Sequence, residues 1–473
     1  MSDSGSARTL EREISRLTTE YRTVMTFPHW LSLVKEVPDF HAVPTFNHMA
    51  QRTQETQHRY PDLVTVTRAD LSGQGEPIDL ISIGDGPLSA LFIGAPHPNE
   101  PIGCLLIDYL IDRLCRDPAL RQSLPYRWHF IKAIEPDALR LNEGRFSAYG
   151  DLGVYLKHLY RPPFAEQAEY TFPFEPDDRL ARYPLPENLA WRAAIELAKP
   201  DFMYSLHNAE FGGVFHLALA MPAELAATLA GVSGQYGLTL NSVGEAALGR
   251  WADGIFQFRD MEKERMRAQE AAALVQPDER PLGNSSAGYT ASRGTFSFVT
   301  EVPFWDHARL HDDGRSNRSL GELEADLRAW SMDIFPLARR ALSLDYAATN
   351  AAALSIWRGL REFIGNYEKD FPPTMSESEQ QRTLTWAEYT IRHVTGRLFL
   401  LRLVALARRL SMLALDRGEG FRVSAACSDF LSREIDRLTH SDHLQPIPLR
   451  TLVQIQLHAG LSVLTHLAAP RAG

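Results

Sequence analysis

The 473-residue chain predicts an α/β fold with a mixed, mostly parallel central sheet flanked by helices, and an added α-helical C-terminal domain. Three observations lead to this prediction. Short β-rich runs alternate with helical patterns over roughly residues 46–310. One of these runs, "SALFIGA", is apolar throughout, as expected for a central strand covered on both faces. Beyond about residue 315 the β-rich runs stop, and long amphipathic or apolar helical patterns follow.

Three regions are expected along the chain: an N-terminal helical extension over 1–45, an α/β domain over 46–330 and a helical domain over 335–473. "FNHMAQRTQETQHRY" predicts a helix, and "LVTVTRADL" and "PIDLISIG" predict strands separated by a turn. After "SALFIGA", the spacing of apolar residues in "GCLLIDYLIDRLCRD" predicts a helix. "RWHFIKAI", "DFMYSLHNA" and "TFSFVTEVPFW" predict further strands, and "ENLAWRAAIELAKP" predicts a helix between the first two.

Composition limits the classes of function. A hydrophobic content of 44% predicts a packed core, and the formal charge of −10 argues against a nucleic-acid partner. Three cysteines form no disulfide framework and indicate a reducing compartment. The chain starts without an apolar signal sequence, and arginines interrupt its longest apolar run, 398–415, which is too short to span a membrane. We therefore expect a soluble, cytoplasmic protein with no membrane partner.

The stretch "LFIGAPHPNEPIG", residues 91–103, places two candidate metal ligands directly after a buried strand. His97 and Glu100 lie three residues apart, and three prolines around them exclude a regular helix. We therefore expect a tight turn that presents the imidazole and the carboxylate together. On its own, such a pair has little specificity for a metal.

Two further polar residues follow predicted strands. His207 lies in "YSLHNAEFGG" and Glu301 in "FSFVTEVPFW", each at the carboxyl end of an apolar strand, where parallel sheets carry their sites. Hydrolytic zinc takes three protein ligands and leaves one position open, and a carboxylate beside it acts as general base. Individually, His207 could be a core histidine and Glu301 a strand cap. Together with the turn, they predict a zinc site with one Zn²⁺ per chain.

"HPNEPIG", "SLHNA" and "VTEVP" together resemble the M14 family of zinc carboxypeptidases, whose superfamily includes the aspartoacylase/succinylglutamate desuccinylase branch. The resemblance covers roughly residues 46–310 and identifies 46–330 as a zinc carboxypeptidase-like catalytic domain. It implies that His97, Glu100 and His207 are the metal ligands. It also implies that Glu301 is the general base.

The same resemblance implies two arginines. One stabilises the oxyanion: Arg145 fits the spacing of the shorter family members, with Arg140 as the alternative. The family's Asn-Pro-Asp-Gly turn before it appears as "EPDA". The second, Arg161, would grip a substrate carboxylate, although Tyr160 stands where the family has asparagine. Alternatively, each of these two arginines could form a structural ion pair and have no contact with substrate.

The loop "GYTASRGTFSFVTEV" resembles the segment that carries a substrate-binding tyrosine in this family. Tyr289 would then hydrogen-bond the substrate, or simply pack in the loop. Arg293 would face the pocket for the leaving residue and favour an acidic side chain there.

These residues predict a zinc metallopeptidase, in which zinc-activated water and Glu301 remove a C-terminal residue from a peptide or peptide-like substrate. Two alternatives remain open. One is a zinc-dependent deacylase acting on an N-acyl amino acid; the other is a non-catalytic interaction protein with a vestigial zinc site. The helical domain could also form a homo-oligomer.

Overall fold

The computed structural model describes residues 28–174, 184–241, 243, 249–261, 283–370 and 375–469. The N-terminal helical extension predicted over 1–45 is therefore described only from Pro28 onward. There a first helix, α1, spans Pro28–Lys35. The rest of that prediction lies outside the described residues.

A mixed nine-stranded sheet forms the centre of the α/β part. Its strands are β1 (Val64–Leu71), β2 (Pro77–Ile83), β3 (Leu88–Ile93), β4 (Tyr126–Ile131), β5 (Phe202–Ala209), β6 (Phe215–Ala218), β7 (Arg250–Ala252), β8 (Ile255–Gln257) and β9 (Phe296–Pro303). Their spatial order is β1-β2-β4-β3-β5-β9-β6-β8-β7. The pairings run β4, β3, β5 and β9 parallel to one another at the centre, while β2, β6 and β8 run in the opposite direction.

This arrangement confirms the predicted fold class. The strands expected at "LVTVTRADL", "PIDLISIG", "SALFIGA", "RWHFIKAI", "DFMYSLHNA" and "TFSFVTEVPFW" are all present. The sequence did not predict β6, β7 and β8, which are four, three and three residues long. Runs of three or four residues are too short to show a recognisable alternation of apolar and polar residues.

Helices precede, flank and follow the sheet. Within the described residues they are α2 (Phe46–Arg59), α3 (Ile102–Arg116), α4 (Pro118–Ser123), α5 (Pro136–Arg140), α6 (Leu152–His158), α7 (Pro186–Ala198), α8 (Ala223–Ala230), α9 (Ser286–Ala291), α10 (Leu320–Leu342), α11 (Ala351–Asp370), α12 (Glu377–Gln380), α13 (Trp386–Ser411), α14 (Arg417–Asp436) and α15 (Leu449–Ala468). α10 runs without interruption through residues 330–335, between the α/β and helical domains expected from the sequence.

In the described part of the chain, four short strands lie outside the central sheet. They pair in two antiparallel ribbons, β10 (Trp305–Asp306) with β13 (Gln445–Pro446), and β11 (Arg315–Ser319) with β12 (Thr383–Thr385). Two of them, β12 and β13, are within the predicted helical region. The sequence showed no β signal beyond about residue 315, because each pairing involves only a few residues. Both ribbons join the segment just after β9 to the C-terminal region.

Each face of the sheet is covered by helices. α7 packs on one face through a cluster that includes Trp191, Leu91 and Met203. On the other face, α3 and α15 pack over the aromatic side chains of the central strands, among them Phe92 and Tyr204. The central strands are therefore buried on both sides, which explains why their sequences are almost continuously apolar.

α15, the last of the described helices, is part of this core. The side-chain amide of Gln456 donates to the carbonyl oxygens of His207 (2.8 Å) and Thr300 (3.4 Å), on β5 and β9. Tyr204 donates its hydroxyl back to the carbonyl of Gln456 at 2.9 Å. The backbone of Gly460 lies so close to Tyr204 that a Cβ there would be 2.6 Å from the ring.

No helix within the described ranges combines the length and the apolar character that a membrane crossing requires.

We expect Gly460→Ala to lower the free energy of unfolding. The added methyl group would overlap the ring of Tyr204, which is fully buried and held by two hydrogen bonds. Overpacking of this kind costs about 1–3 kcal/mol, against a gain of about 1 kcal/mol in helix propensity, so the net effect over most of this range is a loss of stability. Denaturant unfolding of the purified variant measures the difference.

Gly365→Ala in α11 is the matched control, because no heavy atom lies within 4 Å of a Cβ built at that glycine. It should be neutral or stabilising. A Gly460→Ala protein as stable as the control would contradict the close packing of α15 on β5.

Candidate metal centre

The turn after β3 brings His97 and Glu100 together, as the sequence predicted. The amide of Glu100 donates to the carbonyl of His97 at 3.0 Å, and α3 begins only at Ile102. The chain enters the turn through Ala95, whose φ of 47° lies in the left-handed region. α3 can then pack tightly on β5, since a Cβ at Gly103 would lie 2.4 Å from Cβ of Leu206.

His207 and Glu301 face the same edge of the sheet from neighbouring parallel strands. The two residues are register partners on β5 and β9. Asn208 connects this edge to the turn. Its backbone amide donates to Oε2 of Glu100 (3.2 Å), and its side-chain Oδ1 accepts from the backbone amide of Ile102 (3.0 Å). Parallel pairing thus places side chains that are about a hundred residues apart in sequence at one site.

Donor atoms of His97, Glu100 and His207 all lie within 4.8 Å of one another, so the three residues could hold a metal ion. Nδ1 of His207 is 3.0 Å from Oε2 of Glu100, and the two imidazole rings meet edge to face with centroids 4.9 Å apart. The residues are 2%, 4% and 7% exposed, respectively. A buried set of two imidazoles and one carboxylate is a donor set typical of hydrolytic zinc.

The surroundings of His97 fit a metal ligand. The hydroxyl of Tyr170 lies 3.5 Å from Nε2 of His97, and the two rings stack with centroids 5.4 Å apart. The side-chain carbonyl of Gln167 approaches the imidazole and raises its pKa, yet within the described ranges Nδ1 has no hydrogen-bond partner of normal geometry. Buried polar atoms normally have partners, so an unsatisfied Nδ1 is what a missing cation would leave. Tyr170 orients the ring from its other side.

The electrostatics also favour metal binding. Burial, followed by the charge of Arg161, lowers the pKa of His97 well below its ordinary value. Burial alone would raise the pKa of Glu100, but the two imidazoles and Arg161 outweigh it and hold the pKa below its usual range. A neutral imidazole and an ionised carboxylate are the protonation states that bind a metal.

Glu301 and Arg161 lie at the border of the cluster. Oε1 of Glu301 is 3.7 Å from Nδ1 of His207, and the Glu301 side chain is 12% exposed. Arg161 donates from Nη1 to Oε1 of Glu100 at 3.0 Å, and its side chain is 16% exposed. These two side chains are more accessible than the three candidate ligands, so we expect a substrate to approach from their side.

Of the two candidate oxyanion arginines, Arg145 is the one at the metal turn. It is 6% exposed, donates from Nη2 to the carbonyl of Asn99 at 2.6 Å and lies 4.5 Å over the ring of Tyr155. Arg140 pairs with Glu76 at 2.8 Å and is more exposed. The contacts of Arg145 support the turn that carries Glu100, while its role toward an oxyanion stays a prediction.

Tyr289 and Arg293 contact each other. Nη2 of Arg293 donates to the hydroxyl of Tyr289 at 3.0 Å, and the guanidinium lies 4.4 Å over the Tyr289 ring. Arg293 also forms an ion pair with Glu196, and Tyr289 packs on Phe172. Among the described contacts, none joins this pair to the candidate ligands, and their roles toward substrate remain predictions.

The sequence did not identify several polar groups near the cluster. Tyr170 lies in a short 3₁₀ segment, Ala168–Tyr170, that has no recognisable motif. Its neighbour Glu169 is bonded to Ser286, and burial raises the pKa of Glu169 to about 7. Glu210, three residues after His207, forms an ion pair with Arg402 of α13 and accepts from the hydroxyl of Tyr155. Because Arg402 is almost two hundred residues away in sequence, only the tertiary fold reveals this pair.

C-terminal helices hold the segment that carries Arg161. Tyr160 shares a 2.6 Å hydrogen bond with Ser355 of α11, and the amide of Phe164 donates to Glu362 at 2.9 Å. From α13, Arg409 donates to the carbonyls of His158 and Leu159, both at 2.8 Å. α11 and α13, which follow the sheet in sequence, thus hold both ends of this segment.

No family model matches the chain, and no curated protein matches it, but solved structures do. A metallo-carboxypeptidase from Burkholderia cenocepacia is 17% identical with a TM-score of 0.34; the match covers 55% of this chain and 60% of that one. The carboxypeptidase A from Helicoverpa armigera is 11% identical with a TM-score of 0.34, over 63% and 73% of the two chains. A metallo-carboxypeptidase from Pseudomonas aeruginosa is 20% identical with a TM-score of 0.32, over 54% and 60%.

These solved structures belong to the class of protein that the sequence motifs resemble. The identities and TM-scores are low, and the chain spans only 60% of the length of two of the three.

We expect His97→Ala and His207→Ala each to abolish stoichiometric zinc binding, because three donors are the minimum for a hydrolytic zinc site. The measurement is metal content per chain after dialysis against a low concentration of zinc. His311→Ala, which removes an exposed histidine, should bind as much zinc as the unmodified protein. Retention of one tightly bound zinc by either ligand variant would rule out this centre.

Proposed function

We propose that this chain is a zinc-dependent hydrolase that cleaves an amide bond, as a metallocarboxypeptidase that removes the C-terminal residue of a peptide or peptide-like substrate. One observation carries the proposal. Three donor atoms, from His97, Glu100 and His207, lie within 4.8 Å of one another, and Glu301 faces the same edge of the sheet. A carboxylate beside a three-donor set is the arrangement that hydrolysis requires.

His97, Glu100 and His207 would hold the zinc. The two imidazoles and the single carboxylate fit this metal, and within the described residues Nδ1 of His97 has no hydrogen-bond partner of normal geometry. A bound zinc ion supplies an activated water and a Lewis acid for the substrate carbonyl. Asn208 and Tyr170 would keep Glu100 and His97 in position through the contacts given above.

Glu301 would move the proton. Its carboxylate lies 3.7 Å from the His207 ring on a strand end with limited solvent access. From there it would accept a proton from the attacking water and deliver it to the leaving amine nitrogen. This transfer requires that Glu301 be ionised in the free protein and protonated only transiently.

Arg161 would bind the substrate. Its planar guanidinium suits a carboxylate, and it lies directly beside Glu100 at the more accessible side of the cluster. A substrate carboxylate at this position would place the preceding amide bond near the candidate ligands. This geometry supports cleavage next to a terminal carboxylate.

A second candidate is a deacylase that acts on an N-acyl amino acid. The observation that favours it is how tightly C-terminal helices enclose the Arg161 segment, through Tyr160, Phe164 and Arg409. A rigid, enclosed anchor suits a small substrate with a free carboxylate. The two candidates share the metal, Glu301 and Arg161, and differ in what lies beyond the cleaved bond.

We expect Glu301→Gln to reduce hydrolysis by about 100-fold or more, because proton transfer by a positioned carboxylate contributes about 10²–10⁴-fold. Zinc content should stay at that of the unmodified protein, since Glu301 is not one of the three ligands. Mass spectrometry of the products from C-terminally varied peptides and from N-acyl amino acids measures the activity and distinguishes the two substrates.

Glu55→Gln, on the exposed surface of α2, is the matched control and should retain full activity. Zinc-loaded protein that cleaves no member of either substrate panel would contradict the proposed hydrolase. An active Glu301→Gln protein would reject the role of this residue.

A further inference from the structure

An open cleft of about 320 Å³ lies away from the metal centre, between α6, α11 and α13. Its walls combine aliphatic and basic side chains: Leu141, Lys157, His158, Ala352, Ile356, Arg408, Arg409, Met412 and Leu413. The volume is within the range of small-molecule sites. The walls come from both the α/β part and the helical part of the chain.

The cleft is positively charged in a protein whose formal charge is −10. Lys157, Arg408 and Arg409 lie on its walls, and within the described residues neither the lining nor an ion pair supplies them with a carboxylate. His158 lies next to these cations. Its pKa is lowered first by burial and then by the positive charges of Lys157, Arg409 and Arg408. An uncompensated cluster of cations in a concave site attracts anions.

Two of the cations are held in place by neutral groups. Nη1 of Arg409 donates to three carbonyls, those of Leu141, His158 and Leu159, at 2.8–3.0 Å. Nε of Arg408 donates to Oγ of Ser428 at 3.0 Å. These bonds fix the position of both guanidinium groups without neutralising their charge, and Lys157 is exposed at the rim.

The rest of the wall is apolar. Ile356 is buried at 2% exposure, Leu141 and Leu413 are partly buried, and Met412 is 49% exposed beside the basic groups. An exposed methionine is adaptable and binds varied hydrocarbon shapes. The cleft therefore offers a charged region and an aliphatic region side by side.

We propose that this cleft is a second ligand site, distinct from the metal centre, for a small organic anion with a hydrocarbon part. A carboxylate or phosphate head group lies against Lys157 and Arg408, and the hydrocarbon part lies against Ile356, Met412 and Leu413. Guanidinium groups bind both kinds of head group, so the shared chemistry is a single anionic group on an aliphatic chain.

Isothermal titration calorimetry of the full chain tests the proposal with four probes: hexanoate, hexyl phosphate, hexan-1-ol and inorganic phosphate. At least one of the two amphiphilic anions should bind, and more tightly than both the neutral alcohol and phosphate alone. Comparison of hexanoate with hexyl phosphate identifies the preferred head group. No readout depends on hydrolytic activity, so this test is independent of the proposed function.

Lys157→Gln and Arg408→Gln should each weaken binding about tenfold, because each removes a charge-assisted contact. Arg328→Gln, on the exposed surface of α10, is the matched control and should leave binding unchanged. Met412→Gln should weaken hexanoate or hexyl phosphate while leaving phosphate unaffected, which tests the aliphatic region with a half-exposed residue. Unfolding curves establish that each variant is folded.

Absence of binding by both amphiphilic anions would overturn the proposal. Binding that is unchanged in Lys157→Gln and Arg408→Gln would also overturn it, because the anion would then lie elsewhere. Equal affinity for hexan-1-ol would show an apolar site without anion recognition.

Discussion

Glu100 imposes the constraint on which the candidate site depends. A carboxylate that is 4% exposed is stable as an anion only if donors surround it. His207 and the amide of Asn208 contact one of its oxygens, and Arg161 contacts the other. These partners come from two different segments, so the carboxylate determines how the turn, β5 and the Arg161 segment are arranged. A divalent cation held by the three donors would add a second positive charge to that of Arg161 beside this carboxylate.

Local patterns were sufficient to predict the strands and helices that build this site. "SALFIGA" and "DFMYSLHNA" are apolar because they are covered on both faces, and the three prolines near His97 exclude a helix there. The sequence could therefore place His97, Glu100, His207 and Glu301 at strand ends. It could not predict Tyr170 or Arg402, because their places depend on long-range packing that no local periodicity records.

Recognised motifs were less informative about charge partners. Arg293 contacts Tyr289 and Glu196, and its expected place beside a leaving-group pocket stays a prediction. Arg145 was expected at the oxyanion, and its described contacts are with the turn and with Tyr155. An arginine side chain is long enough to reach several partners. Its position in the sequence therefore predicts the region in which the guanidinium lies, but not the residue that it contacts.

The packing of α15 has a consequence for biosynthesis. Residues 449–468 cover β5 and β9, which end at Ala209 and Pro303 and therefore leave the ribosome well before this helix, so both strands present an uncovered apolar surface while the chain is being made. Assembly from such distant segments is slow, and the exposed surface invites aggregation. The nascent α/β part should therefore depend on chaperone protection until α15 docks.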